Sequence, residues 1–263
     1  MKLQAIWVYP LKSAGGLSLD AWDVDALGLV EDRRFMLVGS TGRFMSQRTL
    51  PPMAKIVPEF KGELLSFSFP NKGRVEVPRK PDWSDKREVE VWGDKVLARR
   101  APEGISHWFR LALERDDLEL VWFNPAECRQ VDPKFAGPDD RVGFADGFPL
   151  LLTNEASLKD LNERLESPVP MNRFRPNLVV DGEAAFDEDD WREIRVGELS
   201  FRVAKPCARC QIPNIDQVTG EKGKEPMRTL STFRKKDGAV IFGQNLIHDD
   251  VGTLAVGDAL EVY

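Results

Sequence analysis

Turn-forming residues divide the first hundred residues of this chain into short apolar or alternating runs. The runs cover residues 3–9, 17–24, 35–38, 64–69 and 87–92. Their length and spacing are typical of strands in an antiparallel sheet or barrel, and the segments between them are rich in glycine and proline. Similar runs follow at residues 240–245 and 252–263. The sequence therefore predicts a β-rich fold.

Two segments depart from this pattern and have the period of an amphipathic helix. Apolar residues recur at the spacing i, i+3, i+4, i+7 over residues 105–112. Residues 155–165 repeat a leucine on one face and follow Thr153 and Asn154, which are good capping residues. Long, charged, exposed loops are predicted at residues 124–140 and 221–236. The fold class is therefore mixed α+β, with a few helices around a mainly β core.

Composition limits the classes of function that this chain can have. Its 263 residues, 42% of them hydrophobic, can form one large domain or two small ones. A net charge of −6 argues against a nucleic-acid-binding protein, although a local basic pocket is still allowed. No run approaches the ~20 apolar residues of a membrane span, and the N-terminus does not resemble a signal peptide. We expect a cytoplasmic protein with neither a membrane nor a nucleic-acid partner.

Two of the three cysteines, Cys207 and Cys210, lie in the segment 205–220 behind an extended apolar run. Pro206 favours an extended backbone before it, so the cysteines are expected on a loop just past a strand end. The positive charges of Lys205 and Arg209 would favour a thiolate there. The pair has three other interpretations: half of a zinc site, a redox disulfide, or two inert buried thiols. Too few other Cys and His residues are present for a second ligand pair, and Pro213 argues against a thioredoxin-type helix.

Basic residues at strand ends predict an anion-binding pocket. In the segment 9–16, a strand leads into Lys12, Ser13 and two glycines, and such glycines let the backbone approach a ligand closely. Arg33 and Arg34 should point to opposite faces of a strand, one toward a cavity and the other toward solvent. A third arginine, at residue 48, ends another run. Each of these signals alone is weak, and their joint placement makes the pocket plausible.

A second polar motif surrounds Pro176. This proline should hold Arg175 extended, and Asn177 offers both a donor and an acceptor for the edge of a heterocycle. The acidic run 187–190 is better interpreted as a solvated turn than as a carboxylate metal site.

Five motifs in this order resemble proteins that have an N-terminal MOSC β-barrel followed by a MOSC domain, the molybdenum cofactor sulfurase C-terminal domain. They are Tyr9-Pro10-Leu11-Lys12-Ser13, Asp32-Arg33-Arg34-Phe35, Asn154-Glu155-Ala156-Ser157-Leu158, Arg173-Phe174-Arg175-Pro176-Asn177 and Cys207-Ala208-Arg209-Cys210. The resemblance covers essentially the whole chain and is strongest to the mitochondrial amidoxime reducing component and its bacterial relatives. It implies an N-terminal barrel domain over residues 1–100 and a MOSC β-barrel domain with peripheral helices over residues 101–263.

The resemblance also implies the site. In this family a molybdenum atom bound to a pterin dithiolene is held by one protein thiolate, which corresponds to Cys210, and this suits a soft sulfur ligand. Cys207 would lie beside the metal without binding it, and Ala208 would contribute only its backbone. The residues implied to bind the phosphate and pterin edge are Lys12, Ser13 and Arg33, and those implied along the pterin are Asp146, Gly147, Arg175 and Asn177. Gly147 departs from the small hydroxyl residues of some relatives, so a side-chain contact is not expected there.

The implied activity is the two-electron reduction of N-hydroxylated substrates such as amidoximes, hydroxylamines and N-hydroxylated bases. The sequence shows neither the family's N-terminal membrane anchor nor its C-terminal iron–sulfur domain. We therefore expect electrons from a separate ferredoxin-, flavodoxin- or cytochrome b5-type protein. Pyridoxal phosphate binding is a further possibility at the level of the family. Two alternatives remain: a molybdenum-cofactor carrier without turnover, and a sulfur-transfer protein with a persulfide on one cysteine.

Overall fold

Strands dominate the computed structural model, which describes residues 1–263. The strands are β1 (Leu3–Val8), β2 (Leu17–Leu19), β3 (Ala21–Asp25), β4 (Gly28–Leu29), β5 (Phe35–Val38), β6 (Val57–Lys61), β7 (Leu64–Ser68), β8 (Arg74–Pro78), β9 (Lys86–Val91), β10 (Asp94–Arg100), β11 (Glu119–Trp122), β12 (Leu150–Asn154), β13 (Leu178–Val180), β14 (Glu193–Val196), β15 (Leu199–Ala208), β16 (Lys235–Lys236), β17 (Ala239–His248), β18 (Gly252–Ala255) and β19 (Leu260–Val262). The α-helices are α1 (Glu103–Leu113), α2 (Glu155–Glu163) and α3 (Met227–Phe233), and short 3-10 helices cover Pro51–Lys55, Met171–Arg173, Asp187–Asp189 and Ile212–Asn214. The predicted β-rich α+β class is confirmed.

The largest sheet combines strands from both ends of the chain. Its order is β19-β14-β15-β17-β12-β13-β1-β2, and β16 pairs with β17. Strand β1 lies between β2 and β13, and the only parallel pair is β12 with β13. A cluster of 17 buried apolar side chains packs against this sheet and includes Leu3 and Ile6 as well as Leu246 and Leu260. The first strand therefore folds into the same core as the last ones.

A second group of sheets forms from the middle of the N-terminal half. One sheet has the order β5-β11-β10-β9, and two three-stranded sheets have the orders β18-β3-β4 and β6-β7-β8. Two further apolar clusters fill this part, with Phe35, Phe67 and Phe109 fully buried in the larger one. The division of the chain at residue 100 stays a prediction. No helix combines the length and the apolar character that crossing a bilayer requires.

The two periodic segments are helices, as predicted. Phe109 and Ala112 of α1 are buried, as their spacing indicates. The Asn154 side chain accepts a hydrogen bond from the Ala156 N–H at 2.9 Å, so Asn154 is the capping residue of α2.

Three local expectations were wrong. Residues 17–24 form two strands that are interrupted at Asp20. The segment 221–236 is not wholly an exposed loop, because α3 lies within it and buries Met227 and Leu230 in a cluster with Phe242. The acidic run 187–190 is not a solvated turn, because Glu188 is fully buried and accepts hydrogen bonds from Ser157.

Candidate functional site

A cleft lies where loops from the largest sheet meet loops from the four-stranded sheet. It encloses about 850 Å³ between atoms, part of it open to solvent, which is a usual size for a small-molecule site. All ten residues that the sequence analysis singled out line it. They are Lys12, Ser13, Arg33, Asp146, Gly147, Arg175, Asn177, Cys207, Ala208 and Cys210. The fold thus gathers into one cleft residues that lie up to 198 positions apart, from 12 to 210.

The loop after β1 enters the cleft with Ser13 in the left-handed backbone region, at a φ of 67°. Its two glycines do not serve a ligand as predicted. A Cβ at Gly15 would lie 2.8 Å from the Ile56 carbonyl oxygen, and one at Gly16 would lie 2.4 Å from the Tyr9 ring. These glycines therefore let the loop pack on its own protein neighbours.

Lys12 is buried beneath the cleft floor and already has two partners. Its Nζ donates to the Phe144 carbonyl at 2.7 Å and to the Asp146 carboxylate at 2.5 Å. Asp146 also accepts from the indole N–H of Trp92 at 2.9 Å, and its side chain is 65% exposed to the cleft. Burial lowers the pKa of Lys12, and Asp146 opposes that shift. Burial raises the pKa of Asp146, but the charge and hydrogen bond of Lys12 outweigh it and hold this pKa well below its usual range.

Arg33 and Arg34 point in different directions, as strand alternation predicts. Arg33 reaches the cleft, where its guanidinium donates to Asp32 and to the Asn177 side-chain oxygen, the latter at 3.0 Å. Arg34 is only 3% exposed and bonds Asp25 at 2.7 Å. The expectation that the second arginine is solvated was wrong, because a carboxylate compensates its charge inside the protein.

Arg175 has an unusual backbone and a free donor group. Its φ is 56°, so the expected extended conformation was wrong. One guanidinium nitrogen donates to the Ala14 carbonyl at 2.5 Å, whereas Nη2 is buried without a hydrogen-bond partner. Burial lowers the pKa of Arg175 to about 10. An unpaired buried donor of this kind favours an anionic or carbonyl ligand.

The Tyr9 ring supports both cleft arginines. The guanidinium carbons of Arg33 and Arg175 lie 4.4 Å and 4.3 Å from the ring centre. Cation–π attraction favours such contacts, most strongly away from water. Burial raises the pKa of Tyr9 to about 12, so the ring is neutral.

Asn177 positions its neighbours rather than presenting a free edge. Its side-chain oxygen accepts from Arg33 at 3.0 Å and from the Leu151 N–H at 3.1 Å. Its amide nitrogen donates to the Trp7 carbonyl at 3.1 Å. The side chain is 1% exposed, so most of its hydrogen-bonding capacity is used within the protein.

The two cysteines occupy different environments. Cys207 lies within β15, near its end, and Cys210 follows the strand, so the predicted loop position holds only for the second. Arg209 donates to the Cys207 sulfur at 3.0 Å, whereas Cys210 accepts the Ile212 N–H at 3.5 Å. Lys205 supplies no charge to either, because its amino group lies over the Phe135 ring at 4.8 Å.

Several residues that hold the cleft were not found in the sequence. Gln47 and Gln217 exchange amide hydrogen bonds at 3.0 Å, and Gln47 also donates to the Ser13 carbonyl at 2.9 Å. Arg129, 5% exposed, donates to the carbonyls of residues 143, 145 and 146 and to Asp94. These contacts join residues far apart in the chain, and no local pattern signals them.

The cleft is strongly basic for an acidic protein. Five cationic side chains line it against the single carboxylate of Asp146: they are Lys12, Arg33, Arg48, Arg175 and Arg209. No group of three or more His, Cys, Asp or Glu side chains is arranged to hold a metal ion. The arrangement suits an anionic ligand beside a cysteine sulfur.

Comparison with known proteins follows the same division of the chain. Residues 1–116 match the MOSC N-terminal beta barrel domain, and residues 139–261 match the MOSC domain. The chain is 32% identical to mitochondrial amidoxime reducing component 2 of Bos taurus over 270 residues, 96% of this chain and 80% of that protein. It is 30% identical to mitochondrial amidoxime-reducing component 1 of Homo sapiens over 271 residues, again 96% and 80%.

A larger relative has the same domains in a different setting. The molybdenum cofactor sulfurase of Oryza sativa subsp. japonica is 32% identical over 270 residues, which are 95% of this chain but only 33% of the sulfurase. The chain thus spans a third of the sulfurase and most of the two amidoxime reducing components. It belongs to the family of MOSC-domain proteins with an N-terminal MOSC β-barrel, which includes the mitochondrial amidoxime reducing components.

Proposed function

We propose that this protein is a molybdenum-cofactor-dependent reductase that removes oxygen from N-hydroxylated compounds. An amidoxime, hydroxylamine or N-hydroxylated base would take up two electrons and two protons, its N–O bond would break, and the amine-level product and water would leave. The observation that carries the proposal is the convergence of five cationic side chains and the Cys210 thiol on one cleft. Relatives that are named amidoxime reducing components share this domain arrangement.

The residues of the cleft fit a molybdenum–pterin cofactor. Such a cofactor brings an anionic phosphate, a polar heterocycle and a metal that needs only one protein thiolate, which agrees with the absence of a multi-ligand metal cluster. The unpaired Nη2 of Arg175 offers a donor to the heterocycle. When bound, the cofactor would supply the two-electron redox chemistry.

Each side chain has a distinct part in this proposal. Cys210 would hold the metal, and the Ile212 N–H would stabilise its thiolate sulfur. Arg33 and Arg175 would bind the phosphate and pterin from the Tyr9 ring, with Asn177 keeping Arg33 in place. The roles first assigned to Lys12 and Asp146 change in emphasis. Their mutual ion pair makes them a fixed cleft wall, and Lys12 has less capacity left for a phosphate.

Three further residues complete the proposed cofactor site. Ser13 would bind the phosphate, and Ala208 and Gly147 would contact the pterin through the backbone. A Cβ at Gly147 would meet no atom within 4 Å, so the open space beside it lies within the cleft. The amino group of Lys12, the one lysine on the cleft, is bonded to Asp146 and Phe144, which gives no support for pyridoxal phosphate there.

Electrons are proposed to come from a separate protein of the ferredoxin, flavodoxin or cytochrome b5 type. The cytoplasmic location stays a prediction. A second function is favoured by one contact: the Arg209 guanidinium lies 3.0 Å from the Cys207 sulfur, where it would also stabilise a persulfide anion. This would make the protein a sulfur carrier.

The test is the molybdenum and pterin content of protein made in a cofactor-competent host and purified without oxygen. We expect about one of each per chain and reduction of benzamidoxime with a reduced viologen dye as donor. Cys210→Ala should lose the molybdenum, and Cys207→Ala should keep most of it. Cofactor without turnover would indicate a carrier. Sulfane sulfur on Cys207 without molybdenum would favour sulfur transfer and refute the reductase.

A further inference from the structure

A second cavity lies beside the cleft and shares one wall with it. The shared wall consists of Phe44, Ser46, Arg48 and Trp92. The Phe44 and Trp92 ring centres are 5.2 Å apart, and the Arg48 guanidinium carbon lies 4.3 Å from the Trp92 ring centre. The cavity encloses about 1090 Å³ between atoms, part of it open to solvent. We call it the arginine groove, after Arg43, Arg48 and Arg115, which line it.

The arginine groove has an excess of positive charge. Its one carboxylate, Asp117, is held by Arg115 through two hydrogen bonds of 2.6 Å and 3.2 Å. The hydrogen bond from Arg115 lowers the pKa of Asp117. Arg43 and Arg48 form no salt bridge, and the only side-chain partner of Arg48 is the Ser46 hydroxyl at 3.4 Å. Two guanidinium groups are therefore free to bind an anion, in a chain whose net charge is −6.

We propose that the arginine groove binds a phosphate group of the substrate while the N–O group lies in the cleft, an inference that rests on the proposed function. Guanidinium groups bind phosphate through paired hydrogen bonds, and the hydroxyls of Ser40, Thr41 and Thr49 lie along the same groove. The aromatic wall between the two cavities suits the planar part of such a molecule. The substrate class is therefore N-hydroxylated nucleotides, in which a planar base separates the N–O group from a phosphate.

The cofactor's own phosphate is the competing occupant of the groove. Lys12, first assigned to that phosphate, has Asp146 as a partner, but Arg33 and Arg175 remain in the cleft for it. The two occupants make different predictions. A substrate subsite changes the preference among substrates, whereas a cofactor subsite changes the amount of pterin that is bound.

The experiment compares N4-hydroxycytidine with its 5′-monophosphate on the cofactor-loaded protein. We expect the wild-type KM for the monophosphate to be about tenfold lower or more, which is the effect of one good charged contact. In Arg43→Gln/Arg48→Gln the ratio of the two KM values should approach one. Arg74→Gln is the matched control, because Arg74 is an exposed arginine that lines neither cavity. It should keep the wild-type ratio.

Four outcomes would overturn the inference. Equal KM values in the wild type, with the nucleoside reduced, would remove the subsite and leave the proposed reductase intact. Loss of pterin from the double variant would assign the groove to the cofactor. An equal gain from the carboxylate of 4-carboxybenzamidoxime over benzamidoxime would refute selectivity for phosphate. If neither nucleoside nor nucleotide is reduced, the reductase fails, and calorimetric titration of the monophosphate decides the groove alone: no tighter binding to wild type than to the double variant would refute it.

Discussion

Gly16 is a position where adding one methyl group should damage the cleft from behind. A Cβ there would lie 2.4 Å from one carbon of the Tyr9 ring and 2.8 Å from the next. Carbon atoms pack favourably at about 3.5–4.0 Å, so in Gly16→Ala the ring or the loop must shift by roughly 1 Å. Tyr9 is 1% exposed and the cleft arginines Arg33 and Arg175 lie against its ring, so the ring has little room to move.

The expected cost follows from overpacking in a closed site. Inserting a methyl group into a well-packed core destabilises by about 1–3 kcal/mol, and the short contacts place Gly16→Ala near the upper end. Because any displacement of Tyr9 carries Arg33 and Arg175 with it, the pterin content should also fall several-fold. Both effects have one cause, so they should appear together.

The assay is unfolding in urea followed by tryptophan fluorescence, with pterin content measured on the same samples. Gly104→Ala is the matched control: Gly104 is exposed in α1, and a Cβ there would meet no atom within 4 Å. Alanine favours helix over glycine by up to about 1 kcal/mol, so this control should be neutral or slightly more stable. A loss below about 0.5 kcal/mol in Gly16→Ala, together with full pterin content, would refute the argument.

Two further substitutions test the cleft wall. Asp146→Asn should lower the free energy of unfolding at pH 7 by about 1 kcal/mol, well below the cost of breaking a fully buried pair, because the Asp146 side chain is 65% exposed. Since the folded pKa of Asp146 lies below its ordinary value, this difference should be full above about pH 5 and shrink below about pH 4; urea unfolding at pH 7 and pH 3 checks it, and a constant difference would count against the ion pair. Arg129→Gln should cost about 3 kcal/mol, because it leaves three buried carbonyls and Asp94 without their donor; a loss in urea unfolding no larger than that of Arg74→Gln would contradict this.

The sequence predicted best the features that local patterns encode. The periodicity of residues 105–112 and the capping residue Asn154 identified α1 and α2, because an amphipathic face and a cap are properties of one segment. Motif order also identified ten residues that line one cleft, although their contacts with a ligand stay predictions. Recognition of the motifs, rather than any single spacing, brought those distant residues together.

What the sequence did not predict depends on partners far away in the chain. The role of Gly16 is set by the Tyr9 ring, and the burial of Arg34 is set by Asp25. The left-handed backbone of Arg175 overrides the preference that Pro176 imposes on the residue before it. The arginine groove is equally invisible, since the hairpin that follows β5 joins Arg115 only in the folded chain.

The position of β1 inside the largest sheet has a consequence for synthesis on the ribosome. One neighbour of β1 is β2, but the other, β13, begins 175 residues later, at Leu178 against Leu3. At about 5–20 residues per second, that delay lasts roughly 9–35 s, during which one edge of β1 has no partner. Contacts of such long sequence separation also slow folding. The nascent chain should therefore depend on chaperones that cover this edge, and cofactor insertion should begin only after translation has passed Cys210.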